Sequence, residues 1–416
     1  ALIITADEAS AVKFGGDMET MGSKCLMYPA RDFNYRPTDS QSREYERRRL
    51  GVLENIINGE YDAVVCSVEA AMQLTVPRNV LKRKSASITL DSEISPERVV
   101  DALISAGYVR ADMVEGKGQF ARRGAIIDMF PPDCDYPVRI EFWGDSVDSM
   151  AYFDPISQRR RENADRIKIT PATEVIFDSD EILSEKIKKL ASSLRGKNIT
   201  KVRESLLADA DKLDSEVRIG CTDRYLPLVY ENPENIFDYC ENDMLFISET
   251  SNVKERSLNI QKLSNEDIKM MFEDGVLCRG LDKFFISSND VISMYEKRGA
   301  VYLDNFARGS FDTPVKELVN MNVRQSSSWE GSLKILLDDI RPDIQRGYRI
   351  IILAGTQKAS HSLSEDLSDE GIDCISYPEL PTSFLQKSVN IIPGALSYGM
   401  DYPGDKIKII TQSRYK

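Results

Sequence analysis

Histidine is nearly absent from these 416 residues, with one at position 361, and the seven cysteines form no CxxC pair. The usual ligand sets for zinc are therefore missing, and no metal site is expected. An odd, scattered cysteine count also argues against a disulfide framework and for a reducing, cytoplasmic setting. No apolar run approaches the ~20 residues that span a bilayer, no segment reads as a signal peptide, and no membrane contact is expected. Positive charge is in deficit, with 54 Lys and Arg against 67 Asp and Glu and a net charge of −13. That excludes a surface that grips nucleic acid throughout, so little direct DNA binding is expected, although local basic patches remain open. The chain opens on ALIIT without Met, and this start is expected to be the second half of an α/β unit.

What is present has the length for two or three domains, each able to bury a core. Ala1 to Thr5 and Tyr61 to Ser67 read as buried strands, and Cys25 to Tyr28 as a short one. Helices are expected over Asp7–Met21, Ser42–Asn58 and Val68–Gln73, with a loop from Tyr28 to Ser40. Strands alternating with helices imply a parallel sheet covered on both faces. Near residue 85 the pattern changes. Ser95-Pro96-Glu97 caps a short helix that Gly107 stops, a β-rich run follows, and Arg159-Arg160-Arg161 closes the block as a solvated loop. From Ala172 the α/β pattern resumes, with helices over 181–194 and 201–213 and strands over 244–248 and 283–287. A Ser-rich joint, Gln325 to Ser328, precedes a last α/β unit with helices over 331–344 and 360–367 and strands over 349–354 and 406–411. The expected division is 1–84 and 172–320 as one split α/β domain, 85–171 as an inserted α+β module, and 321–416 as a small α/β domain.

The densest β signal lies within the insert, in GQFARRGAIIDMFPPDCDYPVRIEFWGDSVDSMAYFDP at 118–155. Gly124 to Phe130 is apolar and β-branched except at Asp128, and the prolines of PPDCDYP punctuate a turn. From Val138 to Trp143 apolar and other residues alternate, placing Val138, Ile140 and Phe142 on one face and Arg139, Glu141 and Trp143 on the other. With a return strand from Val147 to Phe153, this is a three-stranded antiparallel meander. An outward tryptophan with an arginine on its face has the composition of an interface anchor. The alternative is that another part of the domain covers Trp143 while Arg139 pairs with a neighbouring carboxylate.

Chemistry is harder to find. Gly16 to Lys24 has the glycines of a phosphate loop, but Gly22-Ser23-Lys24 inverts the order that brings a lysine to phosphate and a hydroxyl to Mg²⁺. The strand Leu245 to Ser248 ends in Ser-Glu where a metal-holding Asp would stand, and the acids of Leu336-Leu337-Asp338-Asp339 fall in a helical pattern as solvated charge. Without a nucleophile elbow or a telling carboxylate pair, the chain reads as a binding protein on an enzyme-like scaffold.

The blocks GYVRADMVEGKGQFARRGAIIDMFPP and PVRIEFWGDSVDSMAYFDPISQR resemble the UvrB-homology region of the bacterial transcription-repair coupling factors, the Mfd family. So do YPARDFNYRPTDSQSREYERRRLGVL (28–53) and VVCSVEAAMQLTVP (64–77), in matching order over residues 1–320. RGYRIIILAGT and GALSYGMDYPGDKIKIIT are similar to the small α/β domain that follows in that family. The resemblance implies a degenerate, RecA-like and UvrB-like parallel-sheet domain that has lost ATP binding, split by a module that binds the damage sensor UvrA. It implies a non-catalytic part that recruits UvrA to stalled RNA polymerase. The polymerase-binding and ATP- and Mg²⁺-dependent translocase domains would lie elsewhere in the family's chain, and no cofactor is implied here.

In the family, two arginines and an aromatic of the insert carry UvrA binding. Matched to this sequence they are Arg123, Arg139 and Trp143, with tryptophan where phenylalanine is common. Arg123 depends on register: if Phe130 pairs with Pro137, a continuous strand turns Arg122 towards Trp143's side, and a bulge or a one-residue slip reverses that. The nearest rival reading is UvrB itself, an ATP-dependent DNA-loading protein, but the helix from Ser42 runs straight to the strand at Tyr61 and leaves no room for UvrB's DNA-clamping hairpin; a second rival is an unrelated nucleotide-dependent enzyme. ATP separates both rivals from the binding-protein reading. A micromolar site would stabilise the fold by about 2.7 kcal/mol or more at a hundredfold excess of ligand. Mg²⁺–ATP at millimolar concentration is expected to leave the melting temperature of this chain unchanged, and a nucleotide-dependent rise or an ATPase signal would contradict the reading.

Overall fold

In a computed structural model, residues 1–36, 42–90, 92–196, 199–215, 217, 219–306, 309–311, 313–326, 329 and 331–412 are described. The fold is mixed α/β with parallel and antiparallel sheets, in two compact units: Ala1–Ala11 with Leu26–Thr313, and Val12–Cys25 with Pro314–Lys416.

Continuous apolar runs form the interior strands of the first unit. Leu2–Thr5 and Ala63–Ser67 are buried at every position, the pattern of strands covered on both faces. The sheet runs, in spatial order, Ala300–Leu303, Leu245–Ser248, Leu2–Thr5, Ala63–Ser67 and Cys25–Tyr28. The pairings among the first four are parallel. One apolar core draws on residues from both sides of the insert, including Leu2, Val64, Val175, Leu206, Leu245 and Phe284. The strand expected over 283–287 does not form. Phe285 makes only an isolated bridge to Gln73, and the aromatic run instead packs Phe284 against Phe33 and Tyr35, with ring centroids 5.4 and 4.7 Å apart. The edge position is taken by Ala300–Leu303, whose half-exposed pattern carries a weaker apolar signal. Residues 37–41, part of the loop and block read there, lie outside the described residues.

The helix Glu44–Asn58 is the platform of this unit, closed by Gly59 in the left-handed region (φ 73°). It buries Arg49 and Glu54 completely and Glu46 almost so. Arg49 Nε donates to Glu174 Oε1 at 2.7 Å and Arg49 Nη1 to Gln73 Oε1 at 2.6 Å. Thr75 Oγ1 donates to the other oxygen of Glu174 at 2.9 Å. Arg31 Nη1 donates to Asp223 at 3.0 Å, and its Nε lies 3.5 Å from Glu174. Glu46 Oε1 accepts from Thr173 Oγ1 and from the Glu174 backbone at 3.0 and 2.8 Å. Burial pushes the Glu46 carboxyl above the ordinary carboxylate range, with the Arg31 charge opposing it.

The insert leaves and re-enters at one place. Ala86–Thr89 pairs antiparallel with Arg166–Ile169, setting Ala86 opposite Ile169. Its own core gathers Ile88, Val99, Leu103, Phe120, Ile127, Met129, Val138, Ile140 and Ile167. The meander is part of a larger sheet of six strands: Arg160–Asn163, Ser146–Phe153, Val138–Trp143, Ile126–Met129, Gln119–Arg123 and Val109–Arg110. Two sequence readings change here. The run from Gly124 is no single strand: Gly124, at φ 63°, turns the chain between Gln119–Arg123 and Ile126–Met129. Arg160-Arg161, read as a solvated loop, lie in an exposed edge strand. The module meets the platform helix closely: a Cβ on Gly51 would stand 2.7 Å from the Pro132 carbonyl oxygen, and Lys168 ion-pairs with buried Glu54.

In the second unit a sheet runs Arg324–Ser326, Gly399–Tyr402, Ile407–Thr411, Arg349–Leu353, Val389–Ile392 and Cys374–Ser376. The last four pair in parallel, and Gly399–Tyr402 pairs antiparallel with both of its neighbours, Ile407–Thr411 and Arg324–Ser326. Helices Leu333–Gln345 and Gln357–Asp369 supply core residues Leu336, Leu337, Ile340, Leu363 and Leu367. The Ser-rich joint is a strand as far as Ser326, and residues 327–328 lie outside the described ones. Asp339 is not merely solvated: buried Lys408 donates to it at 2.6 Å and to Asp343 at 2.8 Å.

Removing one partner of a buried ion pair leaves the other charge unpaired, at a cost of about 3–5 kcal/mol. Arg49→Ala is therefore expected to lose stability on that order in denaturant titration. A loss under about 1 kcal/mol would show that Glu174 finds another partner or water.

Candidate protein-interaction site

The face that carries the sequence-derived residues is built by strand alternation on Val138–Trp143. Val138 and Ile140 are fully buried and Phe142 nearly so, which turns Arg139, Glu141 and Trp143 to the opposite, outer face. Register extends that face across the sheet. Arg123 sits opposite Ile126, which sits opposite Glu141, which sits opposite Ser149. The next row is Ala121, Asp128, Arg139 and Ala151. Residues directly opposite in antiparallel strands share a face, so Arg123 lies on the outer one. Met129 pairs with Val138, the frame in which a continuous strand would have brought Arg122 outward. The turn at Gly124-Ala125 reverses that parity. Arg122 instead pairs with Ile127 on the inner side and bonds Glu97 of the covering helix Pro96–Ser105.

The two ends of the outer face differ. At one end Val114, Ala121, Phe130 and Phe153 form a small buried cluster, and Arg139 closes it. Its Nε and Nη2 donate to the two oxygens of Asp128 at 2.7 and 2.8 Å, and the guanidinium lies 4.9 Å from the Phe153 ring centroid. Asp128 is only 2% exposed. These hydrogen bonds, above all, hold Arg139 still more firmly protonated than a free arginine. Asp128 was the one polar residue in an apolar run, which is the sequence signal for a buried partner.

At the other end Trp143 stands 83% exposed beside the turn at Gly144 (φ 60°), just beyond a register shift between Glu141 and Phe142. Four residues of strand separate it from Arg139, or about 13 Å. Arg123 is exposed, with Nη2 on the Asp112 carbonyl at 3.0 Å. One face thus carries all three residues, but as separated points rather than one cluster. Each of the two earlier readings holds for one residue: Trp143 is uncovered, and Arg139 is paired to a carboxylate.

The carboxyl ends of the parallel strands are occupied by the chain's own acids. Glu8 Oε1 accepts from Ser67 Oγ at 2.9 Å and from the Ala30 backbone at 2.8 Å. At the start of the helix Thr250–Glu273, Thr250 donates to Asp304 from its backbone at 2.7 Å and from its hydroxyl at 3.1 Å. Gly16 lies inside the helix Glu8–Thr20, not in a loop. Among the described residues no His, Cys, Asp and Glu side chains gather as a metal site, and no helix is long and apolar enough to cross a membrane.

Comparison with known proteins bears on this module directly. The family model described as "UvrB interaction domain" matches residues 86–175. A transcription-repair-coupling factor of Bacillus subtilis is 30% identical over 99% of this chain, and one of Staphylococcus aureus strain MRSA252 is 24% identical over 92%. The chain spans about a third of these relatives' length, 35% and 33%. The inserted module is thus similar to the UvrB interaction domain, and the chain as a whole is related to the N-terminal region of the transcription-repair-coupling factors.

Proposed function

We propose that this chain is the UvrA-recruiting part of a transcription-repair coupling factor and that the outer face of the insert is where UvrA binds. The observation that carries the reading is Trp143, 83% exposed on a sheet whose other face is a packed core. A large rigid side chain held in water by ordered backbone offers contact area at little entropic cost, as interface anchors do. Arg123 supplies a fork at the same end of the face. The split α/β domain serves as a degenerate UvrB-like, RecA-like scaffold. Glu8 and Asp304 support a non-catalytic reading, because they put carboxylates where a nucleotide's phosphates would otherwise meet strand ends and a helix N-terminus. Coupling to stalled RNA polymerase and ATP-driven movement on DNA belong, in this reading, to other domains of the full protein.

Arg139 has a different role from Trp143. Its fork already holds a buried carboxylate, so it shapes the face and presents only its remaining donors. Two outcomes are expected from the purified chain titrated with UvrA. Trp143→Ala costs at least about 2 kcal/mol, or about thirtyfold in affinity, with an unchanged melting temperature. Arg139→Ala leaves Asp128 buried without its partner and lowers the stability of the insert by about 1–3 kcal/mol in addition to any effect on binding. A folded Trp143→Ala that binds UvrA as tightly as the parent ends the proposal. A melting temperature that falls with Trp143→Ala makes the tryptophan a prop of the fold instead.

A further inference from the structure

The outer face holds a groove of about 80 Å³ between the middle strands and the edge strand Arg160–Asn163, lined by Arg139, Glu141, Ser149, Ala151 and Arg160, with Phe153 beneath. It exists because the residues opposite Glu141 and Arg139 are small, Ser149 and Ala151. Charge within it is uneven. Arg139 is neutralised by Asp128, with its Nη1 making no hydrogen bond among the described residues, and Glu141 accepts from the Ser149 hydroxyl at 3.1 Å. Arg160 spends its Nε on the neutral side chain of Asn163 at 3.1 Å, and no carboxylate pairs with it among the described residues. Arg159 and Arg161 flank it, also exposed, with Arg161 lying 3.9 Å from the centroid of the Tyr136 ring. Three successive arginines stand here on a chain of net charge −13. Charged residues on an edge strand also guard against edge-to-edge pairing. That role is met by charge anywhere along the strand, and it gives no reason for a groove between Arg139 and Arg160.

We infer that the groove receives the side-chain carboxylate of an Asp or Glu of UvrA, with Arg160 supplying the cation that no carboxylate pairs and Arg139 Nη1 a second donor. The inference rests on the reading of this face as the UvrA site and refines it. Arg139, which alternation places outward, already holds Asp128, and its neighbour across the groove is left to meet a partner carboxylate. Arginine suits the task because its planar fork holds a carboxylate through two parallel hydrogen bonds.

The test is a titration of the intact chain with purified UvrA at several salt concentrations, using Arg160→Glu, Trp143→Ala and Arg98→Glu. Arg98 is exposed on the helix that covers the inner face, so its reversal changes net charge equally at a distance from the groove. All three side chains are exposed, and the variants are expected to melt with the parent. Arg160→Glu is expected to weaken binding about tenfold or more and to flatten its dependence on salt, whereas Arg98→Glu stays within about threefold. Loss of binding by Trp143→Ala with parental affinity and salt dependence for Arg160→Glu overturns the groove and leaves the UvrA reading standing. An equal loss for Arg98→Glu also overturns it, since net charge alone would then explain the effect. Parental binding by both Trp143→Ala and Arg160→Glu removes the face as the UvrA site, and the groove with it.

Discussion

Glu174 is fully buried, with Arg49 and Thr75 reaching its two oxygens while Arg31 stands 3.5 Å away. The residue follows directly on the segment through which the insert returns, and Arg49 sits in the middle of the platform helix. Two charges taken out of water are no free gain in stability, because desolvation offsets most of their attraction. Where such a pair contributes is in making one placement of the returning chain preferred, since a placement that keeps Glu174 buried without Arg49 leaves its carboxylate unpaired. The return of the insert is thereby fixed against the α/β core. Lys168 on Glu54, and the close approach of Gly51 to Pro132, extend that fixation to the base of the module.

A rigid base matters for what the module presents. Trp143 lies at the far end of a strand from the buried Arg139–Asp128 pair, on a sheet whose inner face packs a full apolar core. The order of the face is set before any partner arrives, so little conformational entropy remains to be lost on binding. In the proposed function the parallel-sheet domain contributes as a scaffold. The ends of its strands, which in open α/β sheets commonly receive ligands, are met here by Glu8 and Asp304.

Much of this was legible in the residues. Strict alternation fixed which side of Val138–Trp143 faces the core, because period-two burial depends only on local backbone geometry. The buried runs 2–5 and 63–67 identified interior strands for the same reason. What the sequence did not yield were features set by tertiary partners. The Gly124 turn hid within an apolar run, so the choice between Arg122 and Arg123 stayed open until the register between their strand and Ile126–Met129 was seen. Phe284 and Phe285 looked like strand residues because aromatics favour strands, yet their rings serve a side-chain cluster. The carboxylate that occupies Arg139 was visible as a lone Asp128, but its pairing needed the register. The groove beside Arg160 needed two strands to be seen together.

The chain carries two tryptophans, one 83% exposed at position 143 and one 7% exposed at position 329. Trp329→Phe therefore leaves Trp143 as the sole reporter. Titrating that variant with UvrA, followed by tryptophan emission against a tryptophan-free UvrA, reads the proposed anchor without altering it. The account predicts a saturable blue shift as Trp143 leaves water, complete at the stoichiometry of the complex. A complex that forms, as seen by size-exclusion chromatography, while the emission of Trp143 stays that of a solvent-exposed indole would contradict it.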